Sequence, residues 1–355
     1  MDWKRILNFA KTEVLGLDIG SSAVKVVRLC KDDAGYAVIA AGIAEIAPAN
    51  SLCEVNSGGD EDNNHQNTIR AIRECFELVG RKTKLAVCGL SGPEVAVRDF
   101  VFPLLSNEEI DGAVSFEASQ VCPFSAADSA VDYHLIPNGD GKTRGILVAA
   151  TNAMIKSKVQ LTKEAALKCV LMDVDGLALL NCFNGLVNES ERSTTAILNV
   201  GGSGTTVAIM GGNGRPFVRD MTFGADNIIK QIAADKGMST EDVKGILFGD
   251  STADQMELNG SLGQACQRMI VDVSETLRYY ATQEQSTPVE KIFVCGGFAL
   301  VRGFVELLNS RLGAEAVLWN PFEKIRCDTD QHCGDVVDKR GPALAVAAGL
   351  AMRSV

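Results

Sequence analysis

The sequence predicts an α/β fold made of two halves of like topology, and three observations predict it. The segments LGLDIGSSAVKVVRL (15–29) and AILNVGGSGTTVAIM (196–210) share one pattern: an apolar strand, a glycine–serine turn and a returning strand. Such a recurrence reads as an internal structural repeat. Each copy is followed by segments of helical apolar spacing that alternate with short apolar runs, as in α/β chains. The composition is globular: 46% of the 355 residues are hydrophobic and 22% charged, which excludes disordered, collagen-like and coiled-coil chains.

The first half opens with strands at 14–18, 23–29 and 36–44, an antiparallel meander with Gly35 in its second turn. Residues 48–67 have almost no apolar side chains and read as an exposed loop. Ile69, Ile72, Phe76 and Val79 form a helical stripe over 68–79, ended by Gly80. Strands at 85–88 and 95–102 follow. Ser106 with Glu109 three residues on is a capping box and predicts a helix to about residue 120. Strands at 131–136 and 145–150, a helix at 156–168, a strand at 169–173 and a helix at 177–186 complete this half. The second half has strands at 194–200 and 205–210 and helices at 225–236, 240–247 and 260–283. A strand at 292–295 leads through Gly296-Gly297 into a helix at 301–312. Pro342 suits the first turn of a closing helix that runs to 352.

The 34 basic and 45 acidic residues leave a net charge of −11, a diffuse acidity that disfavours nucleic acid as a partner. No apolar run approaches the roughly 18–20 residues that span a bilayer. The opening MDWKRILNFAKTE carries charges where a signal peptide has its apolar core. Its Trp3, Ile6, Leu7 and Phe9 suit a packed or free tail better than a membrane-surface helix. The eleven cysteines, with no CxxC pair, read as reduced thiols of a cytoplasmic protein.

The two glycine–serine turns carry the chemistry. Glycine lets the backbone approach an anion, and successive N–H groups form a nest around it. Ser21, Ser22, Thr205 and Thr206 add hydroxyl donors, and Asp18 at the strand end suits a hydrated Mg²⁺. One such turn alone would serve simply to join strands. Two at the same place in two halves point to nucleotide phosphates. Gly296-Gly297 is a third candidate for close backbone approach, and Asp175 stands beside Asp173, whose place suits helix capping. Gly141-Lys142-Thr143 mimics the end of a P-loop, but Ile136 stands where that motif needs glycine, so it reads as a hairpin turn. Cys327, His332 and Cys333 lack the second cluster of a zinc site, and His65 and His134 have no nucleophile nearby in sequence.

These segments resemble the actin/Hsp70/hexokinase ATPase superfamily and, within it, the PilM family of type IV pilus assembly. The stretch 15–29 is similar to that family's first phosphate loop. Glu117, Gln120, Pro123 and Phe124, followed by Asp132-Tyr133, resemble its E-A-x-Q-x-x-P-F…D-F signature. MDVDGLALL (172–180), VCGGFALVRGF (294–304), WNPF (319–322) and the closing GPALAVAAGLAMRS match its connecting, adenosine and terminal segments in order. The resemblance runs from about 13 to 354.

It implies an actin-like, ribonuclease H-like fold of two lobes with repeated βββαβαβα cores. One subdomain would comprise 13–84, 145–174 and 326–355, with 85–144 inserted as a small subdomain. The other lobe would comprise 175–223 and 287–325, with a helical subdomain at 224–286. ATP and Mg²⁺ would bind between the lobes. The implied nucleotide contacts are Gly20, Ser21, Ser22, Lys25, Gly201, Gly202, Ser203, Gly204, Thr205, Gly224, Asn227, Lys230, Gly296 and Gly297. Asp18 and Asp175 would hold the metal through water. A groove marked by Glu117, Gln120, Pro123 and Phe124 would receive the cytoplasmic tail of a PilN-like inner-membrane protein. The acidic net charge favours a basic tail. The protein would sit in the cytoplasm, peripheral at the inner membrane, in a complex that reaches the pilus ATPases; self-association stays open.

Three departures bear on hydrolysis. Asn199 stands where the second phosphate loop usually has Asp, Asp175 where the connecting motif commonly has Glu, and Gly224-Ala225 where the family has Gly-Gly. Binding survives these changes, hydrolysis is expected to be weak or absent, and no residue stands out as a catalytic base. An FtsA-like division protein shares the core but ends in a linker and amphipathic helix, which the ending Gly349 to Val355 does not resemble. A sugar or acetate kinase would need a base that no segment supplies.

Overall fold

A computed structural model describes residues 13–48, 60–137, 141–186, 194–211, 214–249, 252–283, 286–327, 329 and 331–353. The apolar strands β1 (Leu15–Ile19), β2 (Ala23–Asp32) and β3 (Gly35–Glu45) form the opening antiparallel meander. Helix α1 (Asp60–Leu78) returns the chain to β4 (Leu85–Leu90), which lies parallel to β1. A small unit follows: β5 (Val95–Pro103), α2 (Asn107–Val121), β6 (Ser129–Leu135) and β7 (Lys142–Thr151), its antiparallel sheet ordered β5-β7-β6. The expected capping box starts α2, with the Ser106 N–H and hydroxyl donating to Glu109 Oε2 at 2.9 and 2.8 Å. Ile110, Val114 and Ala118 pack on Phe100 and Leu147 of the sheet. Helix α3 (Asn152–Glu164) then leads to β8 (Lys168–Val174), parallel to β4.

The second half runs α4 (Asp175–Leu186), β9 (Thr195–Val200), β10 (Thr205–Met210) and β11 (Pro216–Met221). Four helices follow: α5 (Ala225–Lys236), α6 (Thr240–Phe248), α7 (Thr252–Ala265) and α8 (Gln267–Ala281). The chain ends with β12 (Lys291–Cys295), α9 (Phe304–Arg311), β13 (Glu315–Leu318), β14 (Arg326–Cys327), α10 (Gln331–Arg340) and α11 (Ala345–Ala351). The second large sheet, β11-β10-β9-β12-β13, repeats the order of the first, β3-β2-β1-β4-β8, to which β14 adds an edge. The strand senses repeat as well, antiparallel between the first three strands and parallel beyond. The repeat read from two sequence segments is therefore a repeat of whole sheets.

Helices α1 and α3 cover one face of the first sheet, and α5 to α9 one face of the second. Between the sheets lie α4, packed on β10 and β11, and α11, packed on β1, β2 and β4. The two helices cross with backbones touching. A Cβ on Gly349 would sit 2.1 Å from the Ala178 carbonyl oxygen, and one on Gly16 2.0 Å from that of Ala347.

Several boundaries differ from expectation. Helix α1 starts at Asp60, inside the segment read as loop. Acidic residues in a first helical turn complement its dipole, so polarity there did not mean coil. Buried Asn67 also ties α1 to the chain, donating to Ala47 O at 2.9 Å. Residues 49–59, the rest of that loop, and 1–12, with Trp3, Ile6, Leu7 and Phe9, lie outside the described residues. Helix α3 begins at Asn152, capped by Thr151 Oγ1, which accepts from the Met154 N–H at 3.3 Å, and it ends before Ala166 at φ +63°. The helix expected at 260–283 is α7 and α8 with a bend at Cys266. Gly303 at φ +80° delays α9 to Phe304, and a 3-10 turn (Gly341–Leu344) precedes α11. The insert limits of 85–144 miss at both ends: β4 pairs in the large sheet, and β7 runs to Thr151 in the small one. Among the described residues, no helix is long and apolar enough to cross a membrane.

Gly349→Ala should overpack the crossing and lower stability by about 1–3 kcal/mol. Gly313→Ala, where a Cβ meets nothing within 4 Å, should change it little. Urea unfolding of both variants tests this, and equal midpoints would contradict the close crossing.

Candidate functional site

The two glycine–serine turns are built alike. The Gly20 N–H donates to Ala23 O at 3.1 Å, and the Gly201 N–H to Gly204 O at 2.9 Å. They face each other across a cleft of about 430 Å³ between the lobes. Gly202 marks the approach, since a Cβ there would lie 2.5 Å from Ser21 Oγ and 3.0 Å from Ser22 Oγ. The second turn is held to the start of α5, where Ala225 and Asp226 N–H donate to Gly201 and Gly202 O, each at 2.9 Å. Gly296, at φ +91°, brings the turn after β12 to the same cleft; a Cβ there would sit 2.4 Å from Val200 O.

Carboxylates from both lobes lie below the turns. Asp18 and Lys25 are opposite each other on β1 and β2, with Lys25 Nζ 2.9 Å from Asp18 Oδ2. The matching pair on β9 and β10 is Asn199 and Thr206. The Thr206 hydroxyl donates instead to Oδ1 of Asp220 on β11, at 2.6 Å. The other Asp220 oxygen accepts the Gly92 N–H at 2.8 Å, a contact from the loop before β5. Asp175 opens α4, and Gly89 leaves room for it, since a Cβ there would be 2.1 Å from Oδ1. That oxygen is buried and has no hydrogen-bond partner. Burial pushes the Asp175 carboxyl up to about 7; the charge of Asp18 adds to this, while Ser91 and Lys158 oppose it. Burial also raises Asp220, against the bonds from Thr206 and Gly92. Lys158 donates to Ile19 O at 2.9 Å, bracing the strand end that enters the first turn.

The cleft brings glycine backbone and the hydroxyl-bearing Ser21, Ser22 and Ser203 together with acidic groups, a lining that suits an anion beside a cation, while the Thr205 hydroxyl expected as a donor is spent on Phe223 O at 2.7 Å. The unpartnered oxygen of Asp175, near enough to Asp18 for its charge to be felt, fits a hydrated divalent cation. Ser21, Ser22, Lys25, Ser203, Thr205 and the glycines 20, 201, 202, 204, 296 and 297 all line this cleft with Asp18 and Asp175. Gly224, Asn227 and Lys230 do not. Gly224 packs beneath the second turn, where a Cβ would be 2.5 Å from Gly202 O. Asn227 Oδ1 caps α5 by accepting the Gly224 N–H at 3.1 Å, and Lys230 is exposed. The sequence reading missed Ser91, Gly92, Pro93 and Asp220, which also line the cleft. The short strand β11 that carries Asp220 was not recognised, because PFVRDM has no period-two alternation to announce it.

A second cleft, of about 770 Å³, lies between β5 and β11, each an edge strand of its sheet. Val95, Val97, Val101 and Phe217 line it, as does Pro123. Of the four residues expected to mark a partner groove, only Pro123 does so; Gln120 is exposed, and Glu117 and Phe124 are half-buried away from it. Its charges are Arg98, Arg215 and Arg219 against Asp99 and Asp220. The acidity of the whole chain is therefore not concentrated here, and the preference for a basic tail is not carried by this groove. Among the described residues, no group of three or more His, Cys, Asp or Glu side chains stands in a metal-holding arrangement.

Asp175 predicts a pH dependence. Its folded pKa of about 7 exceeds the ordinary 3.8, so the folded chain keeps a proton that the unfolded chain releases. Its stabilising contribution is full below the lower value and is lost as pH rises through the upper. Without divalent cation, the stability of the wild type relative to Asp175→Asn should fall between about pH 4 and 7. A constant difference in denaturant unfolding would contradict the buried acid.

Residues 16–355 match the family model of type IV pilus assembly protein PilM. Among solved structures, a PilM-PilN type IV pilus biogenesis complex matches with a TM-score of 0.80 at 21% identity, covering 97% of this chain and 98% of that one. The ethanolamine utilization protein EutJ from Carboxydothermus hydrogenoformans matches at TM-score 0.56 and 15% identity, covering 96% and 89%. A diol dehydratase-reactivating factor in nucleotide-free form matches at 0.51 and 11%, covering 95% and 98%. These likenesses bear out the mixed α/β fold read from the repeat and the actin-like architecture that the family resemblance implied. With nearly the whole length matched in order, from the first phosphate-type turn to the closing helix, the chain belongs to the PilM family of type IV pilus assembly proteins.

Proposed function

We propose that the chain is a nucleotide-binding scaffold of type IV pilus assembly. It takes ATP with Mg²⁺ between its lobes and the cytoplasmic tail of a PilN-like inner-membrane protein beside its small sheet. The observation that carries the first part is the pairing of two turns built alike across one cleft, each lining it with glycine backbone and serine. Asp18 and Asp175 would hold the hydrated metal, and Gly296 and Gly297 would let the backbone approach the nucleoside. Hydrolysis is slow in this reading, because neutral Asn199 occupies the position that matches Asp18 and neither draws the metal nor takes a proton.

The second part rests on family membership, on the PilM-PilN complex among similar folds, and on the groove between two edge strands. Edge strands offer main-chain hydrogen bonds to an extended peptide, and Val95, Val101 and Pro123 offer apolar contacts. Such a contact would place the chain at the cytoplasmic face of the inner membrane.

Calorimetry with Mg-ATP tests the cleft. Gly202→Val should weaken binding at least tenfold, about 1.4 kcal/mol, by placing a side chain between the turns; unchanged affinity would contradict the placement. Val101→Glu, at a half-exposed position on β5, should weaken capture of the PilN-like tail about tenfold and leave Mg-ATP binding intact. Equal capture would remove the groove from the account.

A further inference from the structure

The turn at residues 91–94 joins β4 of the first large sheet to β5 of the small sheet, and every residue in it is engaged. Ser91 faces Asp175. Gly92, at φ +104°, donates its N–H to Asp220 on β11 of the other lobe. Pro93 lines both clefts, as do Gly92 and Asp220. Glu94 accepts the Thr151 N–H on its carbonyl at 3.1 Å and the Thr151 hydroxyl on Oε1 at 2.6 Å. Thr151 caps α3, and α3 carries the Lys158 that donates to Ile19 O beside the first phosphate turn.

The two clefts therefore share one wall, made of this turn and Asp220. One rim of the larger cleft, β5, begins where the turn ends. The other rim, β11, carries Asp220. The contact that ties the lobes at the back of the phosphate cleft thus also sets the distance between the rims of the groove, together with the Arg215–Asp99 pair at 4.0 Å across it. A magnesium–nucleotide held by Asp18 and Asp175 would fix this spacing, and a peptide laid between β5 and β11 would fix the same spacing. Whichever ligand binds first has already ordered what the second needs, which makes their binding mutually favourable.

We propose that the turn at 91–94, through the Gly92–Asp220 contact, couples the phosphate cleft to the groove, so that Mg-nucleotide and tail peptide each tighten the binding of the other. The coupling rests on the function proposed above.

The test is calorimetric titration of the full chain with Mg-ADP, with and without a saturating synthetic peptide of the PilN-like tail, and the reverse. Each ligand should tighten the other by the same factor, at least about fivefold, since linkage is reciprocal. Asp220→Asn keeps the volume but turns one of the two acceptors into a donor, and the factor should fall toward one. Thr206→Val keeps the acid and removes one of its two anchors, and it should lower the factor as well. Unfolding midpoints identify a variant that no longer folds, and the other then carries the comparison. Independent affinities in the wild type, or an unchanged factor in a folded variant, would overturn the coupling while leaving the two sites standing. Failure of either ligand to bind the wild type alone would overturn the proposed function, and the coupling with it, and is visible in the single-ligand titrations.

Discussion

Helices α4 and α11 share the space between the two large sheets, and their backbones meet there with no side chain between them. Gly349 lies against the Ala178 carbonyl and Gly16 against that of Ala347, while Gly176 at the start of α4 is pressed onto Val218 of β11. Interiors packed to crystal density do not absorb an added methyl group at such points. This close stacking sets the distance between the sheets, and so the distance between the turns at their ends. It also seats Asp175, the first residue of α4, at the bottom of the cleft in the space that Gly89 leaves free. The cleft between the turns is a consequence of how two helices pack.

The cleft holds charges that its surroundings do not favour. Asp175 is buried with one oxygen unpartnered, and Asp220 is held by one hydrogen bond from each lobe. Buried acids that are not neutralised cost stability. Asp18 is balanced by Lys25, but the matching position in the second half has exchanged the acid for Asn199 and the lysine for Thr206. The two halves thus keep the same turn geometry and differ in charge. In the second half the acid stands two strands outward, on β11 instead of β9. A bound cation would offset the charge of Asp175 and Asp18 together.

Much of this was legible in the sequence, for identifiable reasons. The turns at 20–22 and 201–204 were visible because the same strand–turn–strand pattern recurs; either alone would read as a simple connection. The Ser106–Glu109 box fixed the start of α2 because a cap is a local interaction. What escaped depended on tertiary context. The first turns of α1 are polar on every side, so no apolar stripe announced them. Asp220 lies on a six-residue strand whose role follows only from pairing with Thr206. Asn227 and Lys230 stood close in sequence to the second turn, yet α5 directs one to its own cap and the other to solvent. Pro123 reached a groove, while Phe124, its neighbour, did not.

The central claim is that two turns from different lobes hold one chain of phosphates together. Amide hydrogen exchange measured with and without Mg-ATP tests it most directly. The account predicts that the amides of 20–25 and 201–206 slow together, at the same nucleotide concentration. Slowing at one turn alone, or at neither while nucleotide is bound, would contradict it.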